Sequence, residues 1–255
     1  MARLRKKHLQ QTFEFKQHGG KRKGAGRPRK GERSSEPHKK RLPDFNARCP
    51  IHITTRVVDG FCSLRRKDIY LAVREATIAV FRHDQFRIIY FSLQSNHLHL
   101  IVEAETRTAL VKGMQAFLIS AAKRIKRALR LRTGERRRGP VFRDRYHTRV
   151  LKTPREVRHA ISYVLNNWRH HDEDRAPFAR GWKIDPYSNG TSFGGWKELA
   201  DSPVLYRAPP TYQWLISWYP KTWLLREGWK KHGPISVYEV PGPTPKPRLK
   251  PRVSK

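Results

Sequence analysis

Between residues 51 and 170 the hydrophobic period switches back and forth between two and 3.6. The order of those switches limits the fold more than any other feature of the chain. The run IHITTRVV from residue 51 alternates and is β-branched, which predicts a strand. RKDIYLAVREATIAVFRHD then sets Ile69, Val73, Ala76 and Val80 at helical spacing. FRIIYFSLQ and HLHLIVEAE read as two more strands, and Ser95-Asn96 between them reads as a tight turn, so they should form a hairpin. TALVKGMQAFLISAAKRIKRALR is an amphipathic helix with Leu110, Met114, Phe117, Ala121, Ile125 and Leu129 inside. A fourth strand is expected between Val141 and Leu151, and TPREVRHAISYVLNNWRHH is a third helix. The order β-α-β-β-α-β and then α predicts an α+β domain. It is a split βαβ arrangement: four antiparallel strands, two helices on one face, the other face open to a substrate or to the last helix.

The flanks are of another kind. Residues 1–48 are polar, basic and rich in Gly and Pro, which predicts a disordered arm. Within it Gly26-Arg27-Pro28-Arg29-Lys30 resembles an AT-hook, whose arginines (here Arg27 and Arg29) enter the narrow minor groove of A·T-rich duplex. A solvated basic tail is the plainer alternative. Residues 172–255 hold six of the seven tryptophans and many prolines. They predict irregular structure draped on the core, with one short helix from PKTWLLREGWKKHG and a disordered tip, PGPTPKPRLKPRVSK. The apolar residues concentrate between about 50 and 170, so the core is expected there.

Charge bounds the partner. With 55 Lys+Arg against 21 Asp+Glu, the net charge of +34 repels itself in a compact state and calls for a polyanion. Nucleic acid is the first candidate, because basic side chains displace condensed counterions from its phosphates. A membrane surface fits less well, since no long apolar span or basic amphipathic terminal helix is visible. Cys49 and Cys62 form no CxxC or zinc-type spacing and read as free thiols in a reducing cytoplasm. MARLRKKHLQ is basic but has no apolar h-region. No GxxxxGK[ST] phosphate loop is present, so no nucleotide cofactor is expected.

The chemistry concentrates in QSNHLHLIVE. Alternate residues of a strand share a face, so His97 and His99 project together while Leu98 and Leu100 face the helices. Two adjacent imidazoles on an open sheet face can bind one divalent cation, although two exposed or hydrogen-bonded histidines would look the same. The third helix has a fixed register: Thr153 suits the N-cap, Pro154 the first helical position, and Glu156 completes a capping box. Val157, Ile161 and Val164 then face the core, and Tyr163 and Asn167 share another lane one turn apart, with His159 one turn earlier. A tyrosine that merely anchors the helix is the common alternative.

NHLHLIVE resembles the histidine–hydrophobic–histidine motif of HUH enzymes. VFRDRYHTRVLKTPREVRHAISYVLNN resembles the segment that carries the nucleophile in single-tyrosine HUH transposases, in particular their REP-associated tyrosine transposase branch. The likeness spans about residues 48–171, giving a catalytic domain at 49–171, and GAGRPRK in the arm adds to it. The resemblance implies a ferredoxin-like sheet with the tyrosine helix laid near the histidines. It implies that His97, His99 and Asn167 hold one divalent cation, Mg2+ or Mn2+, and that Tyr163 is the nucleophile. The substrate it implies is single-stranded or hairpin DNA from short palindromic repeats in a bacterial genome, which would make the protein cytoplasmic and nucleoid-associated, as a monomer or a homodimer. The residue types suit that reaction: a cation offsets the charge of the phosphate oxygens, and a phenol of pKa about 10 needs help to ionise.

Tyr146, in RDRYHTR, is the rival nucleophile, but it has no ligand-type residue one helical turn away. Lys123, Arg124 and Arg127, continuing into Arg136, Arg137 and Arg138, could track a DNA backbone, although a solvated helix face is the simpler reading. Two other functions compete. One is a non-catalytic single-stranded nucleic-acid binder on the same sheet, for which the aromatic recognition signature is absent. The other is a carboxylate-based two-metal nuclease, for which no acidic cluster is evident.

Overall fold

The computed structural model describes residues 45–143, 146–179 and 181–240. The AT-hook-like segment with Arg27 and Arg29, and the Pro-rich end from residue 241, lie outside them. The element order is β1 (Ile51–Arg56), α1 (Lys67–Val80), β2 (Phe86–Leu93), β3 (His97–Ala104), α2 (Arg107–Thr133), β4 (His147–Val150) and α3 (Pro154–His170). Short 3₁₀ turns follow, with one brief helix, α4 (Trp223–Arg226), in the segment expected to be helical. The strands lie in the order β2-β3-β1-β4, every pair antiparallel, which is the ferredoxin-like arrangement. The fourth strand is shorter than expected. Phe142 meets the chain beyond β1 only in an isolated bridge to Val57, and continuous pairing with β1 begins at His147.

Helices α1 and α2 cover one face of the sheet. There Ile51, Ile53, Leu98, Leu100 and Val102 pack against Ile69, Val73, Met114, Phe117 and Ile125. Helix α2 starts where the Thr106 hydroxyl accepts the Ala109 N–H and stops at Gly134, whose φ of 74° lets the chain turn away. Gly113 brings α2 close to β2: a Cβ there would meet the Phe86 ring at 2.1 Å.

Helix α3 lies on the other face. Its start shows the full capping box, Thr153 Oγ1 accepting from the Glu156 N–H while the Glu156 carboxylate accepts from the Thr153 N–H. Val157, Ile161, Val164 and Leu165 meet Ile89 and Ile101. This second cluster corrects the expectation of a core confined to residues 50–170. Ile184, Phe193, Trp196, Leu224, Leu225, Trp229, Ile235 and Val237 complete it. Apart from Leu224 and Leu225 in the one-turn helix α4, those residues lie in 3₁₀ turns and irregular chain, which have no helical or strand period to read from sequence.

Polar pins hold the C-terminal segment in place. Arg65 grips Asp185 through two N–H···O bonds of 2.9 Å. Glu103, fully buried, accepts the N–H groups of Lys221 and Thr222 and is paired with Arg87. Strand β2 is a sheet edge with an irregularity between Ile88 and Tyr90. Asn189 satisfies it from outside, accepting the Phe91 N–H at 2.8 Å and donating to the Ile89 carbonyl at 2.7 Å. Among the described residues no helix is long and apolar enough to cross a membrane.

Candidate functional site

The β1–β3 register builds the site. Residues directly opposite in an antiparallel pair share a face. Arg56 stands opposite His97, Thr54 opposite His99, and His52 opposite Ile101. His97 and His99 are both buried, and their Nε2 atoms are 2.9 Å apart. Each imidazole is anchored by its other nitrogen. His97 Nδ1–H donates to Asn96 Oδ1 at 2.7 Å, which leaves its Nε2 lone pair facing inward. His99 Nδ1 lies 3.1 Å from Thr54 Oγ1 and 3.2 Å from His52 Nε2.

The third helix brings its polar lane to the same place. The Tyr163 ring stands edge-on to His99 at a centroid distance of 5.0 Å and to His52 at 5.7 Å. One turn later Asn167 is fully buried, and neither its oxygen nor its nitrogen has a hydrogen-bond partner. One turn later again, the His171 ring is 5.2 Å from His97. The structure therefore gathers His97, His99 and Tyr163, with Asn167 on the same lane of α3 between Tyr163 and His171. His159 is exposed instead, on the wall of a cleft of about 390 Å3 beside Tyr163, which Arg149 and Glu239 also line. A larger cleft of about 820 Å3, among Phe193, Trp196 and Trp229, includes none of these residues.

Electrostatics set the protonation states. Burial, then the neighbouring His171 and Arg56, push the His97 imidazole down to about 4. Burial and the crowd of His97, His52 and His171 push His99 down to about 2. Burial, with Arg149, pushes His52 down to about 4. All three are neutral near pH 7, with lone pairs available to a cation. Burial raises the Tyr163 phenol, so by itself it stays protonated.

These residues fit one divalent cation. Two nitrogens each about 2.1 Å from a common ion at a right angle are about 3.0 Å apart, the spacing that the two imidazoles have. A buried amide with nothing bonded to its oxygen costs free energy unless something is held there. No group of three or more His, Cys, Asp or Glu among the described residues is arranged to hold a metal. Two imidazoles and an amide oxygen could serve as donors here, and an oxygen donor suits Mg2+ or Mn2+.

Other residues singled out in the sequence lie elsewhere. Lys123, Arg124 and Arg127 are on α2, which covers the opposite face of the sheet. Lys123 and Arg127 are exposed, and Arg124 is ion-paired with Glu75 at 2.7 Å. Arg136 and Arg138 are exposed beyond the end of α2, and the Arg137 guanidinium lies over the Phe61 ring at 4.7 Å. Tyr146 packs with the α1–α2 cluster, away from the histidines. Sequence reasoning missed His52, Arg56 and His171. An alternating β1 makes His52 and Arg56 look like ordinary polar positions, and only the long-range register sets them against His99 and His97. His171, four residues after Asn167, was the one with a readable signal.

Residues 47–167 match the family model described as transposase IS200 like. A solved structure of a REP-associated tyrosine transposase bound to a REP hairpin is similar at 15% identity, over 68% of this chain and 93% of that chain, with a TM-score of 0.41. A bacterial tRNA(His) guanylyltransferase-like protein in complex with GTP is similar at 13% identity, over 51% and 65%, with a TM-score of 0.37. No curated protein matches the chain significantly.

Proposed function

We propose, from the match of residues 47–167 to the family model described as transposase IS200 like, that the chain cleaves and rejoins single-stranded DNA through a phosphotyrosine at Tyr163. The observation that carries this reading is the convergence of three things. The His97 and His99 Nε2 atoms are 2.9 Å apart, the Tyr163 ring lies 5.0 Å from His99, and the unpartnered Asn167 amide is one turn beyond.

In the first step Tyr163 Oη gives up its proton and attacks the phosphorus of a DNA phosphodiester. A P–Oη bond forms and the P–O3′ bond breaks. The departing oxygen takes a proton and leaves as a 3′-OH, while the 5′-phosphate stays esterified to Tyr163. The second step is the reverse with a different 3′-OH. The ester conserves the bond energy, so no nucleotide is consumed. A divalent cation held by His97, His99 and Asn167, Mg2+ or Mn2+, would draw charge from the phosphate oxygens and ease ionisation of the phenol.

The remaining side chains position these groups. Asn96 Oδ1, an acceptor only, fixes the His97 tautomer, and Thr54 and His52 hold the His99 ring in place. His52 packs against both His99 and Tyr163, which also touch each other, and so braces the imidazole and the phenol together. Arg56 carries its charge on the same face, opposite His97, where it can meet a phosphate. The basic face of α2, with Lys123 and Arg127, lies behind the sheet and would hold distal DNA by counterion release rather than orient the scissile bond. Hairpin-forming palindromes are the substrate that fits both surfaces, since a folded stem can be held while an unpaired flank reaches Tyr163.

The test is a labelled single-stranded hairpin incubated with the protein and Mn2+, then resolved under denaturing conditions. A covalent band is expected. It should vanish in Tyr163→Phe and persist in Tyr146→Phe, and His97→Ala or His99→Ala should lose it while still binding DNA. A band kept by Tyr163→Phe and lost by Tyr146→Phe would overturn the assignment. DNA binding with no band under any metal would leave a non-catalytic binder.

A further inference from the structure

Gln94 is a buried polar residue of this face that the mechanism above does not use and that keeps a bare side-chain atom. It lies at the end of the β2–β3 hairpin, where its N–H donates to the His97 carbonyl at 2.9 Å. Its side-chain Nε2–H donates to Ser92 Oγ at 3.2 Å, and Ser92 stands opposite His99. The amide is thus on the histidine side of the sheet, and one end of it is tethered. The other end is not: Oε1 is buried and accepts from nothing, although the residue has no exposed surface. A buried carbonyl oxygen left bare costs about 1–3 kcal/mol, and a fold under no other demand would place a leucine or methionine there. Asn167 is bare in the same way.

We propose that Gln94 is a positioning residue for the hydrated cation, its Oε1 accepting a hydrogen bond from a cation-bound water beside His97 and His99. This inference rests on the metal-site reading above and extends it. Mg2+ and Mn2+ keep several of their waters when protein-bound, and those waters need acceptors. The Ser92 tether holds one end of the amide, and in this arrangement it engages the nitrogen and leaves Oε1 toward the histidine face.

The experiment titrates Mn2+ into the full chain and follows the free-ion signal by electron paramagnetic resonance, with the Tm of the metal-free protein measured in parallel. Four proteins are compared: wild type, Gln94→Leu, Gln94→Glu and His97→Ala. Gln94→Leu is expected to weaken Mn2+ binding about tenfold, the loss typical of a second-layer partner, with a Tm near wild type. Gln94→Glu is expected to tighten it, since a carboxylate holds the same water more strongly. Wild-type Mn2+ affinity in both Gln94 variants, with binding lost in His97→Ala, overturns this inference alone. Wild-type affinity in His97→Ala overturns the metal site itself. If Gln94→Leu does not fold, the Gln94→Glu arm decides: unchanged affinity there also overturns the inference.

Discussion

The two faces of β3 are equally buried and chemically opposite. All eight of its residues are shielded from solvent. On one side Leu98, Leu100 and Val102 join the α1–α2 cluster, an apolar packing layer. On the other, His97, His99 and Glu103 alternate with Ile101 beneath α3 and the C-terminal segment. The buried polar atoms without partners include Asn167 Oδ1 and Nδ2, Gln94 Oε1 and Trp168 Nε1 on the α3 side, against Thr55 Oγ1 on β1's apolar side and Arg137 Nε beside Phe61 of the α1–α2 cluster. Burial alone therefore does not distinguish a core from a site. The imbalance in satisfied polar atoms does, because an unpaired buried polar group is retained only where something offsets its cost.

Substitutions on the two faces should separate stability from chemistry. Leu100→Ala should destabilise the protein by about 2–5 kcal/mol in urea, through lost burial and a cavity. The covalent adduct formed per folded molecule should be unchanged. His99→Leu should do the reverse, abolishing the adduct while leaving stability within about 1 kcal/mol or raising it, since an apolar side chain replaces a neutral imidazole among buried neighbours. A Leu100→Ala protein that is folded yet forms no adduct would show that the faces are not independent. Gly113→Ala sharpens the comparison on the apolar side, because its Cβ would sit 2.1 Å from a Phe86 ring atom. Overpacking of that kind costs about 1–3 kcal/mol, read as a shift in urea midpoint, again without loss of adduct per folded molecule.

The apolar face was also the legible one. Its strands and helices announce themselves by period, and the capping box at Thr153 fixes the register that aligns Tyr163 with Asn167. The placement of His97 and His99 on one face was legible too, since alternate residues of a strand share a side. What stayed hidden depends on contacts between distant parts of the chain. His52 is 47 positions from His99 and meets it only through the β1–β3 register. Gln94 adjoins a turn, where a polar residue is unremarkable in sequence. The half of the second cluster contributed by residues 184–237 lies, except for Leu224 and Leu225 in α4, in chain without a period. The opposition of α2's basic face to Tyr163 is likewise a property of the layers, not of either segment.

Thr54→Val tests how finely the polar face is tuned. It removes the hydroxyl that lies 3.1 Å from His99 Nδ1 but keeps the side-chain shape. With the ring less firmly held, Mn2+ affinity should fall by about tenfold, the lower end for partners of this kind. His52, 3.2 Å from the same nitrogen, remains as a partner and limits the loss. A Thr54→Val protein with unaltered Mn2+ affinity would assign the orienting role to His52.

The smallest effect expected concerns a polar contact on the same side of the sheet that serves the fold rather than the chemistry. The Glu239 carboxylate accepts from both terminal nitrogens of Arg158 and from the Ser162 hydroxyl, clamping the C-terminal segment onto the outer lane of α3. Burial disfavours its charge, but these donors outweigh burial and hold the carboxyl below the usual range. The folded-state pKa is depressed relative to the unfolded chain. The clamp's contribution is therefore complete above the unfolded carboxyl value and disappears as pH falls through the folded one. Glu239→Gln should accordingly be less stable than wild type at pH 7, by about 1 kcal/mol or less since the pair is partly exposed, and the gap should close on acidification. Urea titrations of both proteins at several pH values measure that gap directly. Because Glu239 touches α3 on a different lane from Tyr163 and Asn167, adduct formation per folded molecule should stay at the wild-type level. Should it fall while stability holds, the clamp would belong to the chemistry, and the division of α3 into a structural lane and a reactive lane would be wrong.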